Sequence, residues 1–182
     1  MSRIGSIPIN IPDGISVTNI NSTLSIKSIQ SYQEIDLIRG LICEIVDNKI
    51  LLSIDQTKKE NYNKLKPIWG TYRSNIYNII AGMVSSFSVA LEINGVGYKA
   101  ERNNSYLILS LGYSHSIFYK IPQGIEMTCI KSTHLLVSGI NKQKVFMIAS
   151  DICKLRKYDP YKGKGIIIKG RVMLHKIVSK KK

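Results

Sequence analysis

The sequence predicts an α+β fold of two similar tandem domains, each a mostly antiparallel β-sheet packed on one long helix. Each half of the 182 residues begins with short stretches of alternating apolar residues and ends with a helical pattern. The turn sequence IPDGISVT at 11–18 returns as IPQGIEMT at 121–128, a match short enough to reflect turn chemistry alone. The apolar fraction of 44% is sufficient for a core in each domain.

The first domain, which we place at residues 1–84, is predicted to contain four strands followed by a helix. The strands are predicted at residues 15–18, 23–27, 33–38 and 50–54. A helix is predicted over 64–83, because apolar residues recur there every three to four positions. These are Trp69, Tyr72, Ile76, Ile79, Ile80 and Met83. Pro67 is expected in the first helical turn or before it.

The second domain, placed at residues 85–182, repeats this order. Strands at 89–98 and 106–111 are predicted to pair as a hairpin across 101–105, with Gly95-Val96-Gly97 forming a bulge or a close strand contact. Further strands are predicted at 117–121, 126–130 and 135–138. Asn141 is the expected N-cap of a helix over 142–157. The apolar face of this helix consists of Val145, Ile148, Ala149, Ile152 and Leu155.

The net charge of +14 indicates a polyanionic partner. Residues 142–182 hold 13 of the 26 Lys and Arg residues but two of the 12 Asp and Glu residues, Asp151 and Asp159. A one-sided concentration of this kind is typical of nucleic-acid binding. A basic membrane-surface protein would instead need an apolar helix face, whereas these cations surround glycines.

The segment YDPYKGKG at 158–165 is the most informative in the chain. If it is extended, Lys162 and Lys164 lie on one face, and Gly163 and Gly165 leave the other bare. A backbone without Cβ atoms can then approach a phosphate-sugar chain while the two ammonium groups neutralise it. Tyrosines beside the loop offer stacking or hydroxyl contacts. A solvated loop with ordinary surface lysines is the alternative.

Residue types for catalysis or metal binding are present but not grouped. Cys43, Cys129 and Cys153 are widely spaced and form no Cys-x-x-Cys, so we expect packing roles rather than a disulfide or zinc site. His134 is expected to be a packing or surface residue, and His115 either reaches RNA or is an ordinary surface residue. We therefore predict no enzyme, no metal and no cofactor. No apolar run of about 18 residues or signal peptide is visible either.

With these motifs assembled, the chain resembles the bacterial-type family of large-subunit ribosomal protein six over nearly its whole length. PYKGKG at 160–165 matches the C-terminal signature of that family. GVGYKA at 95–100, LSLGYSH at 109–115 and IPQGI at 121–125 match in the same order and spacing. Weaker matches are the opening MSRIG with Pro8, the stretch 70–73 (GTYR), Gly139 with Lys142-Gln143, and the KKK terminus.

The resemblance implies a structural, non-enzymatic constituent of the large ribosomal subunit that binds 23S-type rRNA, mainly through the second domain. It implies a place near the stalk base and the translation-factor-binding region, beside other large-subunit proteins. The compartment would be the bacterial cytoplasm or an organelle matrix, mitochondrial or plastid. Residues 161–165 stand at the RNA-contacting loop of the signature, and Lys154, Arg156 and Lys157 at the basic end of the preceding helix.

Charge, loop chemistry and resemblance together give one set of candidate rRNA-binding residues. They are Lys154, Arg156, Lys157, Tyr158, Tyr161, Lys162, Gly163, Lys164, Gly165, Lys169, Arg171, Lys176, Lys180, Lys181 and Lys182.

The chain departs from the family at three places. Tyr158 opens the signature where Pro or Ser is usual, and 166–170 reads IIIKG in place of a basic-aromatic pair and an acidic residue. The hairpin after Lys27 lacks the usual Gly-Pro-Lys-Gly turn. Two other functions stay open beside the ribosomal one. A free RNA-binding module would not co-sediment with large subunits, and an enzyme acting on nucleic acid would show metal-dependent turnover of RNA.

Overall fold

The computed structural model of the chain describes residues 3–20, 22–29, 31–55 and 59–177, without the side chains of 59–63. The chain divides into two compact units, Met1–Ser85 and Ser86–Lys182. The described residues form short antiparallel strands and two long helices, which confirms the predicted α+β class. The structure adds one feature to this class, because the strands of each unit divide between two sheets.

The first unit contains six strands and the helix α1. The strands are β1 (Ile9–Asn10), β2 (Ile15–Ile20), β3 (Thr23–Ser28), β4 (Tyr32–Asp36), β5 (Leu41–Val46) and β6 (Lys49–Ile54), and α1 spans Lys59–Val84. One sheet has the order β1-β6-β5 and the other β2-β3-β4. Trp69 of α1 joins helix to sheet, since its indole Nε1 donates to the Leu52 carbonyl of β6 at 2.9 Å.

Pro67 lies inside α1, not at its start. The helix begins at Lys59, five residues before the predicted start. Proline within a helix removes one backbone hydrogen bond and clashes with the carbonyl four residues earlier. The apolar face that follows, with Ile76 and Ile80 in the core, supplies the packing that holds the helix together across this position.

The second unit contains seven strands and the helix α2 (Lys142–Leu155). The strands are β7 (Phe87–Asn94), β8 (Lys99–Asn103), β9 (Tyr106–Ser110), β10 (Ile117–Lys120), β11 (Ile125–Lys131), β12 (His134–Gly139) and β13 (Gly165–Ile168). One sheet has the order β10-β9-β8 and the other β11-β12-β7-β13. The apolar face of α2 packs on the four-stranded sheet, with Val145, Ile148, Ala149 and Ile152 buried.

The predicted hairpin between residues 89–98 and 106–111 is wrong. Strand β7 ends at Asn94, and the chain turns at Gly95–Tyr98, where Gly97 has φ +78° and Tyr98 N donates to Gly95 O at 3.3 Å. Strand β9 therefore pairs with β8 across the short turn at Asn104, and β7 lies between β12 and β13. The Gly-Val-Gly motif forms a turn between two sheets, not a bulge within one strand.

The repeated Pro-x-Gly sequence forms the same turn in both units. Ile15 N donates to Pro12 O at 3.3 Å, and Ile125 N donates to Pro122 O at 3.4 Å. The intervening glycines, at 14 and 124, have φ values of +86° and +80°. Positive φ at the third position of a turn is typical of type II, which glycine favours. Each turn leads directly into a strand that pairs with the next, so the sequence repeat corresponds to a structural one.

Candidate nucleic-acid interface

A groove of about 650 Å³ lies at the C-terminal end of α2 in the second unit. We call it the cationic groove. Its lining residues are Val96, Tyr98, Gly112, Tyr113, Lys154, Leu155, Arg156, Lys157, Asp159, Lys162 and Lys164. Three segments meet here: the turn after β7, the stretch after β9, and the chain from the end of α2 through the loop before β13. Five cations and one carboxylate line it.

Helix α2 sets the position of the first cations. Its N-terminus is capped by Asn141, whose side-chain oxygen accepts from Lys144 N at 3.2 Å, as the sequence predicts. The helix ends at Leu155, two residues earlier than predicted, and Arg156 is extended with φ −143° and ψ 93°. Lys154 therefore lies on the last turn, whereas Arg156 and Lys157 belong to the extended segment that follows. Ile166 N donates to Arg156 O at 3.0 Å and ties this segment to β13.

Arg156 is held between two tyrosines. Its Cζ lies 4.9 Å from the ring centroid of Tyr113 and 6.0 Å from that of Tyr98. Hydrogen bonding to the two phenol groups, that of Tyr113 first, raises the pKa of Arg156 further above its already high value. The Tyr113 hydroxyl also donates to Leu155 O at 3.0 Å. These contacts orient a guanidinium that stays charged at any physiological pH.

The Tyr98 ring is enclosed by two glycines. An added Cβ would come within 2.6 Å of the ring at Gly95 and within 2.8 Å at Gly112. Gly112 also has φ +73°, a conformation that side chains rarely adopt. Tyr98 is consequently buried, at 7% exposure, and forms a fixed wall of the groove on which Arg156 rests.

The loop between Lys157 and Gly165 is folded on itself, so the extended conformation considered for it is wrong. Tyr161 N donates to the Asp159 carboxylate at 2.9 Å, and Gly163 N donates to Asp159 O at 2.8 Å. Asp159 N in turn donates to Lys164 O at 2.8 Å. The closed loop nevertheless brings Lys162 and Lys164 to the same groove, by turn geometry and not by strand alternation.

The two glycines of the loop serve different purposes. Gly163 has φ +66° but space around it, since an added Cβ would meet no atom closer than 4.0 Å. Gly165 is buried against the protein's own backbone, where a Cβ would lie 2.6 Å from Tyr158 Cα and 2.7 Å from Lys157 O. Close approach of a phosphate chain is therefore not the reason for glycine at 165.

The remaining candidate residues lie outside the groove lining. Tyr161 is 53% exposed, with Lys176 Nζ at 5.8 Å from its ring centroid. Lys176 N donates to Pro160 O at 2.9 Å, which returns the C-terminal segment to the loop. Lys169 and Arg171 are exposed just after β13, and Tyr158 is half-buried. Lys180, Lys181 and Lys182 lie outside the described residues.

Six groove residues were not among the candidates: Leu155 and Asp159, which adjoin candidate cations in the sequence, and four residues from more distant segments, Val96, Tyr98, Gly112 and Tyr113. All four belong to the motifs GVGYKA and LSLGYSH, which sequence reasoning used for the resemblance but not for the site. The signal was one glycine in each motif, Gly95 and Gly112, because residues without a Cβ permit the close packing of the Tyr98 ring between them. No spacing rule joins two glycines that lie in different turns of the chain.

The described residues contain no group of three or more His, Cys, Asp or Glu residues that could hold a metal ion. Cys43 is buried in the first core, and Cys129 and Cys153 pack against the second, all as free thiols. Within the described part of the chain, neither helix is long and apolar enough to cross a membrane.

Comparison with known proteins relates the chain to one protein family of the large ribosomal subunit. A family model described as ribosomal protein L6 matches residues 94–167. Large ribosomal subunit protein uL6 of Campylobacter jejuni subsp. jejuni is 45% identical over 166 residues, which cover 91% of this chain and 90% of the relative. The proteins of the same name from Rhodospirillum centenum and Parvibaculum lavamentivorans are 38% and 35% identical, and each covers 100% of both chains. The matched region 94–167 contains every residue that lines the groove.

Proposed function

Because this chain belongs to the ribosomal protein L6 family, whose members are structural, non-enzymatic proteins of the large ribosomal subunit, we propose that it anchors itself there by binding 23S-type rRNA through the cationic groove. The observation that carries the proposal is the charge of this groove, with Lys154, Arg156, Lys157, Lys162 and Lys164 against the single carboxylate of Asp159.

Most of these cations are available to an external anion. Lys154 forms a salt bridge with Asp151 at 2.9 Å, on an exposed helix surface. No carboxylate of the described residues forms a salt bridge with Lys157, Lys162 or Lys164. Concentrating unpaired cations in one groove costs self-repulsion, which a phosphate chain relieves. Their neutralisation of phosphates releases counterions, so binding should weaken steeply as salt rises.

The groove combines two kinds of cation. Arg156 offers a planar guanidinium that is fixed by Tyr98 and Tyr113, suited to bidentate contact with a phosphate. Lys162 and Lys164 offer ammonium groups on flexible stems, anchored to a loop that its own hydrogen bonds close. We infer that Arg156 fixes the register of the RNA backbone and the lysines supply most of the salt-dependent affinity.

The other candidate residues extend this surface in our proposal. They are Tyr158, Tyr161, Gly163, Gly165, Lys169, Arg171 and Lys176, with Lys180, Lys181 and Lys182 continuing along the C-terminal segment. Hydroxyl, backbone and ammonium groups of these types are the ones that contact phosphate and sugar in RNA complexes. We further propose that Met1–Ser85 and Ser86–Lys182 correspond to the two domains, 1–84 and 85–182, expected from sequence.

We also propose a location near the stalk base and the translation-factor-binding region, in contact with neighbouring large-subunit proteins. The first unit suits protein neighbours, since it holds nine Lys and Arg residues against seven Asp and Glu residues. The relatives named above are bacterial, which favours a bacterial ribosome or one of bacterial type in an organelle.

The experiment that tests the groove is a salt titration of binding to a 23S-type rRNA transcript. Replacing Lys162 and Lys164 by alanine should reduce the slope of log affinity against log salt by about two, one for each phosphate that is no longer neutralised. Lys120→Ala with Lys131→Ala is the matched control, since both lysines are exposed in the same unit and lie outside the groove. An equal reduction in both double variants, or no reduction in the first, would overturn the assignment to the groove.

A further inference from the structure

Tyr113 and His115 lie side by side at the edge of the cationic groove. Their ring centroids are 6.5 Å apart, and the ring planes differ by 27°, a stacked arrangement. The Arg156 guanidinium lies 4.9 Å from the Tyr113 ring centroid. One guanidinium and two aromatic rings thus lie together at the surface, and we call the Tyr113–His115 pair the stack.

This stack is exposed although aromatic surface is costly to hydrate. Tyr113 is 45% exposed, and His115 is exposed too. Val96, which also lines the groove, is 91% exposed. The Tyr113 hydroxyl donates to Leu155 O, so the position of its ring is fixed. A rigid exposed ring beside apolar surface is suited to a flat partner.

A nucleobase is the flat partner we consider, because an RNA backbone bound in the cationic groove carries bases with it. Proteins that hold single-stranded nucleic acid combine cations that follow the backbone with aromatic rings on which bases stack. A base inside a duplex has its faces covered by its neighbours, and a base in a loop or bulge does not. The groove and the stack adjoin, so a phosphate at Arg156 would leave the attached base within reach of Tyr113 and His115.

We propose that Tyr113 and His115 form a stacking platform for one unpaired RNA base, next to the phosphate held in the cationic groove. This inference rests on the proposed rRNA binding and deepens it, since it names the conformation of the nucleotide that the site accepts. The cations alone would bind any RNA backbone, and the platform adds a preference for an unpaired nucleotide.

The test uses the full-length chain and two short RNA hairpins. One hairpin carries a single bulged 2-aminopurine, and the other carries the same base paired with uridine. The wild-type chain should bind the bulged hairpin about ten-fold more tightly than the paired one, and binding should quench the fluorescence of the bulged base. Tyr113→Leu should abolish both the preference and the quenching.

Two further variants keep the result interpretable. Tyr106→Leu is the matched control, because Tyr106 is 47% exposed in the same unit but lies outside the groove, and it should retain both signals. Tyr113→Phe keeps the ring and removes the hydroxyl with its bonds to Leu155 O and Arg156, so it should retain the quenching.

The outcomes separate the platform from the groove. Equal affinity of the wild-type chain for both hairpins, or equal behaviour of Tyr113→Leu and Tyr106→Leu, would overturn the platform and leave phosphate binding intact. Absence of binding to either hairpin at low salt would overturn the proposed function and the platform with it.

Discussion

Gly165 lies so close to Tyr158 that a Cβ on the glycine would come within 2.6 Å of the Tyr158 Cα. This contact closes the base of the loop that carries Lys162 and Lys164. On the strand side of it Ile166, in β13, donates its N–H to Arg156 O, and on the loop side Asp159 N donates to Lys164 O. The positions of the groove cations therefore depend on a backbone contact made by a residue without a side chain.

Gly165→Ala should destabilise the second unit and displace the loop. The added methyl meets backbone atoms at 2.6–2.8 Å, and the φ of +136° is unfavourable for any side chain. Strain of these two kinds costs on the order of 2 to 4 kcal/mol. Gly170→Ala is the control, since Gly170 has φ +84° but no atom within 4 Å of an added Cβ. Urea denaturation should show at least twice the destabilisation for Gly165→Ala, and equal effects would contradict the close contact.

Ile166→Ala should destabilise the fold even though the residue is next to a surface loop. Ile166 is 1% exposed and packs in the core beneath α2. Truncation of a buried isoleucine to alanine typically costs about 2 to 5 kcal/mol. Val172→Ala, six residues on at a side chain that is 91% exposed, should change the free energy of unfolding by less than about 0.5 kcal/mol. A destabilisation below about 1 kcal/mol for Ile166→Ala would show that β13 is not packed as described.

Arg156→Lys should weaken RNA binding without changing its salt dependence. Lysine keeps the charge but lacks the planar group that contacts Tyr113 and Tyr98. Without this orientation the affinity should fall about three- to ten-fold, the range expected for a cation–π interaction of about 1 kcal/mol. Arg73→Lys serves as control, because the Arg73 guanidinium also lies over a tyrosine ring, 5.2 Å from the Tyr77 centroid, but belongs to the first unit and not to the groove lining. A change in the salt slope of Arg156→Lys would instead indicate that the lysine ammonium fails to neutralise the phosphate that the guanidinium binds.

Ionisation of Cys43 should make the fold less stable at alkaline pH. Burial, with a smaller contribution from the charge of Glu44, raises the pKa of Cys43 from 9.0 to about 11. The unfolded chain therefore releases this proton first, so the stability that the neutral thiol contributes is complete below pH 9.0 and is lost as pH rises through about 11. Cys43→Ala should show a shallower decline of unfolding free energy over that interval. Parallel pH curves for the two proteins would contradict the raised pKa.

Much of the fold follows from local signals in the sequence. The apolar face of α2 and its Asn141 cap are visible because helix periodicity and capping act within a few residues. The repeated Pro-x-Gly turn is visible for the same reason. Pairing between distant strands is not local, and so Tyr106–Ser110 was assigned to the wrong partner. Nothing near Phe87–Asn94 indicates that its neighbours are His134–Gly139 and Gly165–Ile168.

The isoleucine run at 166–168 illustrates how context decides the role of a segment. In sequence it is a departure from the family pattern beside an RNA-contacting loop. In the structure it forms β13, one of the two edge strands of the four-stranded sheet, with Ile166 buried and Ile168 packed against the core. Three consecutive isoleucines are favourable for a strand, yet their pairing with β7 depends on the turn at 158–165 that returns the chain to the sheet.

The cations of the groove could be predicted from the sequence, but the residues that position them could not. Clustered charge is read directly from sequence, so Lys154, Arg156, Lys157, Lys162 and Lys164 were all identified. The wall formed by Tyr98 and Tyr113 depends on the turn after β7, the segment after β9 and the end of α2 coming together. Only the folded chain supplies that information.

Sedimentation tests the central claim most directly. A tagged copy of the chain, expressed in its native cells, should run on a sucrose gradient with large subunits and whole ribosomes and remain there through a moderate salt wash. The variant with Lys162→Ala and Lys164→Ala should be released at lower salt than the wild type. Recovery of the wild-type chain near the top of the gradient, free or with small RNAs, would contradict the account and favour a free RNA-binding module.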